Sequence, residues 1–250
     1  MNEGATTRTL PLAGQFAVVT GASSGVGRCL ALALAREQVD LCLVGRNPSR
    51  MAEVASAARR LAQVTELLVD ITSDEGLRKL RRVVEESGRG LGLLVHSAGV
   101  IVRSSSEQIR QEDFDVQFAV NVRAPHSITQ SLLPELLRAQ GQIVFINSSV
   151  ALVPGQAEIG PYSASKHALR AVADSLRQEL NPRNVRVLSV YLGRTATPMQ
   201  EALYRLQGKR YRPETLLQAE DVVAMILAAL TLPRTAEVTD ISIRPIQNPL

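Results

Sequence analysis

Short apolar runs alternate with longer amphipathic stretches along most of the chain. Phe16 to Thr20, Leu41 to Val44, Thr65 to Val69, Leu93 to His96, Gln142 to Ile146 and Arg186 to Tyr191 are mostly apolar, without regular polar alternation. That is the pattern of strands buried on both faces of a parallel sheet. Between them, helical periodicity runs over Val26 to Gln38, Arg50 to Ala62, Asp74 to Ser87, Gln111 to Ala139 with interruptions at Pro125 and Pro134, and Tyr162 to Leu180. A further helix over Ala219 to Leu230 precedes a last strand, Glu237 to Ile243. Strands alternating with helices predict a doubly wound α/β fold, in which right-handed crossovers place helices on both faces of one sheet.

Length and composition narrow this picture. The chain has 250 residues, 45% of them hydrophobic, enough for one core. Neither a repeat nor a low-complexity linker divides it, so residues 1–250 are expected to form a single domain, with 1–11 frayed. No run approaches the length of a membrane span and the N-terminus lacks the apolar segment of a secretory signal; the expectation is a cytoplasmic protein without a membrane span. Two cysteines, Cys29 and Cys42, and three scattered histidines offer no disulfide framework and no metal-ligand spacing. A net charge of +4 with 3% aromatic residues and no Trp argues against a nucleic-acid partner, which calls for a concentrated basic face and stacking rings. A small anionic ligand would account for part of the excess.

Candidate chemistry begins where the first strand gives way to the first helix. Gly21, Ser23, Ser24, Gly25, Val26 and Gly27 form a glycine-rich turn there. Glycines permit a tight turn and let a pyrophosphate approach backbone N–H groups at the positive end of a helix. An ordinary tight connection uses glycine too, and the strand-then-helix context favours the dinucleotide reading. The same residues match GxSxG, the nucleophile elbow of serine hydrolases, with Ser23 as nucleophile. That reading lacks its late histidine: His167 is the last, with more than eighty residues after it.

In dinucleotide folds an acid at the end of the second strand bonds the ribose 2′-hydroxyl, whereas a basic residue accommodates a 2′-phosphate. Here Gly45 stands in the acid's place and Arg46 follows, its planar fork suited to phosphate. NADP(H) is expected over NAD(H), against the plainer view of Arg46 as a solvated loop residue.

Tyr162 and Lys166 share a helix face at i and i+4, where an ammonium beside a phenol favours the ionised form of the phenol. With Ser149 thirteen residues upstream of Tyr162, the glycine turn, Asp70, the Ala98-Gly99 pair, Asn121, and Gly193 with Thr197, the chain resembles the short-chain dehydrogenase/reductase family from about Leu12 to Ile246. The resemblance implies a Rossmann-type seven-stranded parallel sheet and a tetrad of Asn121, Ser149, Tyr162 and Lys166. Tyr162 would exchange a proton with the substrate oxygen as hydride passes to or from the nicotinamide, helped by Lys166 and the nicotinamide charge. Ser149 would hold that oxygen, Ser148 being structural. Asn121 would bond backbone and a water, and Lys166 the ribose hydroxyls. Asp70 and Ile71 would meet the adenine, Ala98 and Gly99 would approach the cofactor closely, and Gly193, Thr195 and Thr197 would meet the nicotinamide end. Asp70 is equally suited to start the helix near Thr72 or Ser73.

Two departures from the family pattern stand out. Its Asn-Asn-Ala-Gly reads His96-Ser97-Ala98-Gly99, which puts local sheet bracing in question, and its Pro-Gly reads Leu192-Gly193, which predicts a relaxed loop. His96 reads as a packed strand residue. The resemblance further implies a substrate lid over about 194–216, a small carbonyl or alcohol substrate, and a homodimer or homotetramer built through the helices around Gln111 to Leu137 and Tyr162 to Leu180. The lid carries Arg194, Arg205, Lys209, Arg210 and Arg212 among apolar residues, so an anionic substrate, a 3-oxo or 3-hydroxy acid or an acyl group, stands against a merely solvated basic face. The closing stretch, Ala219 to Val223 and Asp240 to Pro245, is similar to bacterial reductases of small hydroxy or keto acids. A cofactor-sensing binding protein without turnover is the alternative from another functional class.

Overall fold

Seven parallel strands form one sheet in the order β3-β2-β1-β4-β5-β6-β7 in a computed structural model that describes residues 10–247. The strands are β1 (Phe16–Thr20), β2 (Asp40–Gly45), β3 (Val64–Leu68), β4 (Leu93–His96), β5 (Gln142–Ser148), β6 (Arg186–Leu192) and β7 (Asp240–Ile243). Helices α1 (Gly25–Arg36), α2 (Pro48–Ala58), α3 (Asp74–Glu86), α4 (Gln111–Phe118), α5 (Ala124–Ala139), α6 (Gly160–Leu180), α7 (Pro198–Leu206) and α8 (Ala219–Leu230) connect them. Along β1 the side chains divide by parity. Ala17 and Val19 join one core with Leu30, Met51 and Ile226, while Phe16 and Val18 join a second core with Leu80, Leu132 and Leu169. Each helix layer thus covers one face of the sheet, as the continuous apolar strands predict.

The strand order reverses between β1 and β4, opening a crevice at the carboxyl ends of the strands. Thr20, at the end of β1, braces that edge. Its hydroxyl donates to the Val95 carbonyl at 3.2 Å and accepts from the amides of Ser97 at 3.1 Å and Ala98 at 3.3 Å. The bracing put in question by Ser97 is therefore supplied from the neighbouring strand. His96 lies buried beside it, stacked on Phe145 at 4.8 Å, with Nε2 2.8 Å from the Thr129 hydroxyl.

Several expectations need correction. The helix pattern over Gln111 to Ala139 breaks at Ala119–Arg123, a π-helical segment, and not at either proline. Pro125 has no N–H for the Asn121 carbonyl and its ring would crowd that carbonyl, so the turn before it widens to i→i+5 bonding. Pro134 sits inside α5 without ending it. Leu192 does not relax the loop after β6; it continues the ladder between Ser148 and Ile243, because leucine retains the amide that proline lacks. The last strand starts only at Asp240, since Glu237 meets β6 with its side chain, accepting from the Val187 amide at 2.7 Å. Of the segment expected to fray, residues 1–9 lie outside the described residues; Leu10 already closes a turn with Ala13 at 3.0 Å and Leu12 is buried.

No helix among the described residues is long and apolar enough to cross a membrane. On α4, one of the two stretches expected to carry self-association, Phe114 and Val116 are exposed. Replacing Thr20 with Val strands the Ser97 and Ala98 amides, and the expected loss is about 1–3 kcal/mol in urea unfolding. An unchanged unfolding midpoint would mean that those amides find other partners.

Candidate active site

The crevice is a cavity of about 630 Å³, lined from the Gly21 turn across Arg46 and Asp70 to Tyr162, Lys166 and α7. Its phosphate end is built by close backbone approach. Gly21 adopts φ +67°, and a Cβ there would lie 2.7 Å from the Ala98 amide nitrogen. Gly27 does not line the cavity; a Cβ on it would meet the Gly21 carbonyl oxygen at 2.5 Å, so its absence lets α1 pack close to β1.

The N-terminus of α1 differs from those of its neighbours. Asn47 caps α2 and Ser73 caps α3 with side-chain bonds, and α3 adds Asp74 and Glu75 in its first turn. Ser24 makes no side-chain cap on α1 and no acid occupies the first turn. The leading amides and the positive end of the helix dipole are left for an anion. A dinucleotide pyrophosphate fits this cradle. Ser23, Ser24, Gly25 and Val26 line it.

At the other end of the cavity, Asp70 accepts from the Thr72 amide at 2.9 Å and the Thr72 hydroxyl at 2.7 Å. These bonds, with the Arg46 guanidinium nearby, hold its carboxyl below the usual range. The cap of α3 itself is Ser73, whose hydroxyl accepts from Gly76 at 3.0 Å. Asp70 therefore shapes the turn while also lining the cavity beside Arg46 and Ile71.

Tyr162 and Lys166 project from the first turns of α6, beside the end of β5. Asn147 ties these elements together, donating to the Lys166 carbonyl at 3.2 Å and accepting from the Ser148 amide at 2.8 Å. Lys166 Nζ donates to the Ile146 carbonyl at 3.2 Å and lies 5.9 Å from the Tyr162 ring centroid. Burial pushes the phenol above its ordinary value, with a hydrogen bond from Ser148 pulling the other way. Burial also lowers the ammonium to about 8. Desolvation is the largest influence on the phenol, and the Lys166 ammonium spends one of its donors on the Ile146 carbonyl.

Ser148 lines the same cavity as Tyr162, and its hydroxyl accepts from the Val150 amide at 3.4 Å. Ser149 opens the short 3-10 turn Ser149–Leu152 and lines the same cavity one residue further on. Asn121 sits in the π-helical segment but does not line the cavity. Both amide protons and the oxygen have partners: Oδ1 accepts from the Val100 amide at 2.9 Å, and Nδ2 donates to the Val100 carbonyl at 2.9 Å and the Ser165 hydroxyl at 3.0 Å. Ser165 in turn donates to the Tyr162 carbonyl at 2.7 Å. Asn121 thereby locks the loop after Gly99 to the turn that carries Tyr162.

Residues 15–207 match the model of the short chain dehydrogenase family. The chain belongs to that family. An uncharacterized oxidoreductase of Staphylococcus epidermidis is 31% identical over 233 residues, 93% of this chain and 97% of the relative. A dehydrogenase/reductase from Sinorhizobium meliloti is 30% identical with TM-score 0.80, covering 94% of this chain and 95% of its own. The alcohol dehydrogenase of Thermococcus sibiricus, solved with 5-hydroxy-NADP, is 25% identical with TM-score 0.83, covering 94% of this chain and 99% of its own. The chain is thus a nicotinamide-dependent oxidoreductase with the family's seven-stranded sheet.

Within this short-chain dehydrogenase, Ala98, Gly99, Gly193, Thr195 and Thr197 all reach the cavity. Thr197 caps α7, accepting from the Gln200 amide at 3.3 Å. The stretch expected to be a lid is cinched at its base, where Leu217 donates to the Arg194 carbonyl at 3.0 Å and Ala196 donates to the Leu217 carbonyl at 2.8 Å. Above that base, Tyr204 is buried and meets Tyr211 edge-on at 5.6 Å. Ser23 lines the cavity without a histidine among the described lining residues, so a hydrolytic dyad is not assembled there. Sequence reasoning missed Arg103 in the cavity wall because it belongs to no motif.

The depressed Lys166 makes a prediction. Its protonated form is disfavoured in the fold, so a cost on the order of 3 kcal/mol applies below pH 8 and fades as pH rises through 8 toward the unfolded value near 10.5. Lys166→Met should raise the melting temperature of the cofactor-free protein at pH 7, with the advantage narrowing toward pH 10. A gap that widens with pH would contradict the burial argument.

Proposed function

We propose that the protein is an NADP(H)-preferring oxidoreductase that reduces a carbonyl group, or oxidises the matching secondary alcohol, with Tyr162 as general acid and base. The observation that carries this reading is the convergence of Tyr162, Lys166 and Ser148 on one cavity shared with the uncapped start of α1. The bound nicotinamide supplies or accepts the hydride. Burial keeps Tyr162 protonated at neutral pH, which suits a donor to the substrate oxygen in the reductive direction. Ser148 offers a second hydrogen bond to that oxygen from beside the phenol, and Ser149 is its competitor for the role. Lys166, charged below about pH 8, keeps positive charge next to Tyr162 and has donors left for ribose hydroxyls. Asn121 is a positioning residue. The segment 194–216 closes the cavity as a lid over the substrate, with Met199, Leu203 and Tyr204 in its wall. A sensor without turnover has no need of a protonated phenol in one cavity with two serine hydroxyls and an ammonium.

A screen of carbonyl compounds following NADPH absorbance tests the reading. Tyr162→Phe should lose about 10²–10⁴-fold in kcat. Ser148→Ala should lose about 10²-fold in kcat/KM and Ser149→Ala less than about threefold; the reverse order would return the role to Ser149. Retained activity in Tyr162→Phe would sink the mechanism.

Preference for NADP(H) rests on Arg46 in the cavity wall and on Gly45, where no carboxylate opposes a 2′-phosphate. Arg46→Ala should raise KM for NADPH roughly tenfold or more while leaving KM for NADH nearly unchanged. Equal effects on the two cofactors would remove the assignment.

A further inference from the structure

Charge along the cavity is one-sided. Among the described lining residues, Arg46, Arg103, Lys166, Arg194, Lys209 and Arg244 are cationic, and Asp70 beside Arg46 is the one carboxylate. Arg46 and Lys166 have roles toward the cofactor in the proposed reading. Arg103 does not, and the protein invests in its placement. The loop that carries it out of β4 is pinned on both sides: the Val102 amide donates to Gln117 at 3.0 Å and the Ser104 amide to the Glu158 carbonyl at 2.8 Å. The guanidinium pairs with the Glu158 carboxylate at 2.5 Å. Glu158 adopts φ +64°, a left-handed conformation uncommon for a non-glycine residue.

An Arg fork has five N–H donors, and one carboxylate at one terminal nitrogen leaves others for a second anion. Around it the wall is aliphatic, with Ile101, Val150, Ile159, Met199 and Leu203. Lys209 adds positive charge from the far end of the lid, and low-dielectric walls focus such a field on an entering ligand.

We infer that Arg103 is a specificity-determining residue that takes the carboxylate of an aliphatic keto-acid or hydroxy-acid substrate, with Glu158 holding its guanidinium at the cavity rim. This rests on the proposed reading of Tyr162 as the proton donor, and it locates the anion site in the loop after β4, apart in sequence from the basic lid.

The test pairs binding with turnover. Hexanoate, which cannot react, is titrated calorimetrically into NADP⁺-loaded protein, and kcat/KM is compared for 3-oxohexanoate and its methyl ester. Wild type should bind hexanoate saturably and prefer the acid. Arg103→Met should weaken hexanoate and raise KM for the acid by about tenfold or more, with ester kinetics and NADPH affinity within about threefold. Arg103→Lys should recover part of the loss, and Glu158→Gln, which frees the fork, should hold the acid as tightly or more tightly. No hexanoate binding by wild type, equal turnover of acid and ester, or parallel loss of both substrates in Arg103→Met and Glu158→Gln would overturn the inference, the last marking the pair as a structural latch. Turnover of neither substrate with hexanoate binding still dependent on Arg103 would instead count against the proposed reaction while leaving the anion site standing.

Discussion

Close approach of two backbones at the reversal of strand order is the constraint on which the rest of this structure depends. The turn after β1 comes so near the chain after β4 that a Cβ on Gly21 would lie 2.7 Å from the Ala98 nitrogen. Only there can one crevice open both to the amides of α1 and to the strand ends beside Tyr162. Thr20 holds the approach with one hydroxyl, which serves three backbone groups. Behind it, the parity of β1 divides the apolar side chains between two cores, so the crevice edge inherits the rigidity of both.

A second layer of bracing carries that rigidity to the turns that hold Tyr162 and Lys166. Asn121 closes a circuit from the loop after Gly99 through Ser165 to the carbonyl of Tyr162, and Asn147 closes another from β5 to α6. Both asparagines are buried with their amides satisfied, the condition under which polar groups in a core specify geometry instead of costing stability. Asn121 enters this circuit from within the widened turn before Pro125.

Much of the fold was legible because its signals are local or periodic. Continuous apolar runs gave seven strands at nearly the right places, and the glycine turn declared itself between strand and helix. Misreadings fell where a local signal met a non-local partner. Pro134 looked like a break but sits in α5, whereas the break came one turn before Pro125. Leu192 read as a loosened loop, but its neighbours Ser148 and Ile243, distant in sequence, make it a ladder residue. Glu237 read as strand and instead reaches β6 through its carboxylate.

By itself the sequence determined the class of fold, the cradle for a dinucleotide, and the pairing of a phenol with an ammonium on one helix face, because each depends on residue type at a fixed short spacing. Tertiary structure decided what no spacing carries. Desolvation turns that pair toward its neutral forms, since burial depends on everything packed around α6. The end of β5 brings Ser148 and Ser149 into the cavity that Tyr162 lines, and the meeting of two loops pairs Arg103 with Glu158. Contacts between residues far apart in the chain are settled by packing, which no local spacing records.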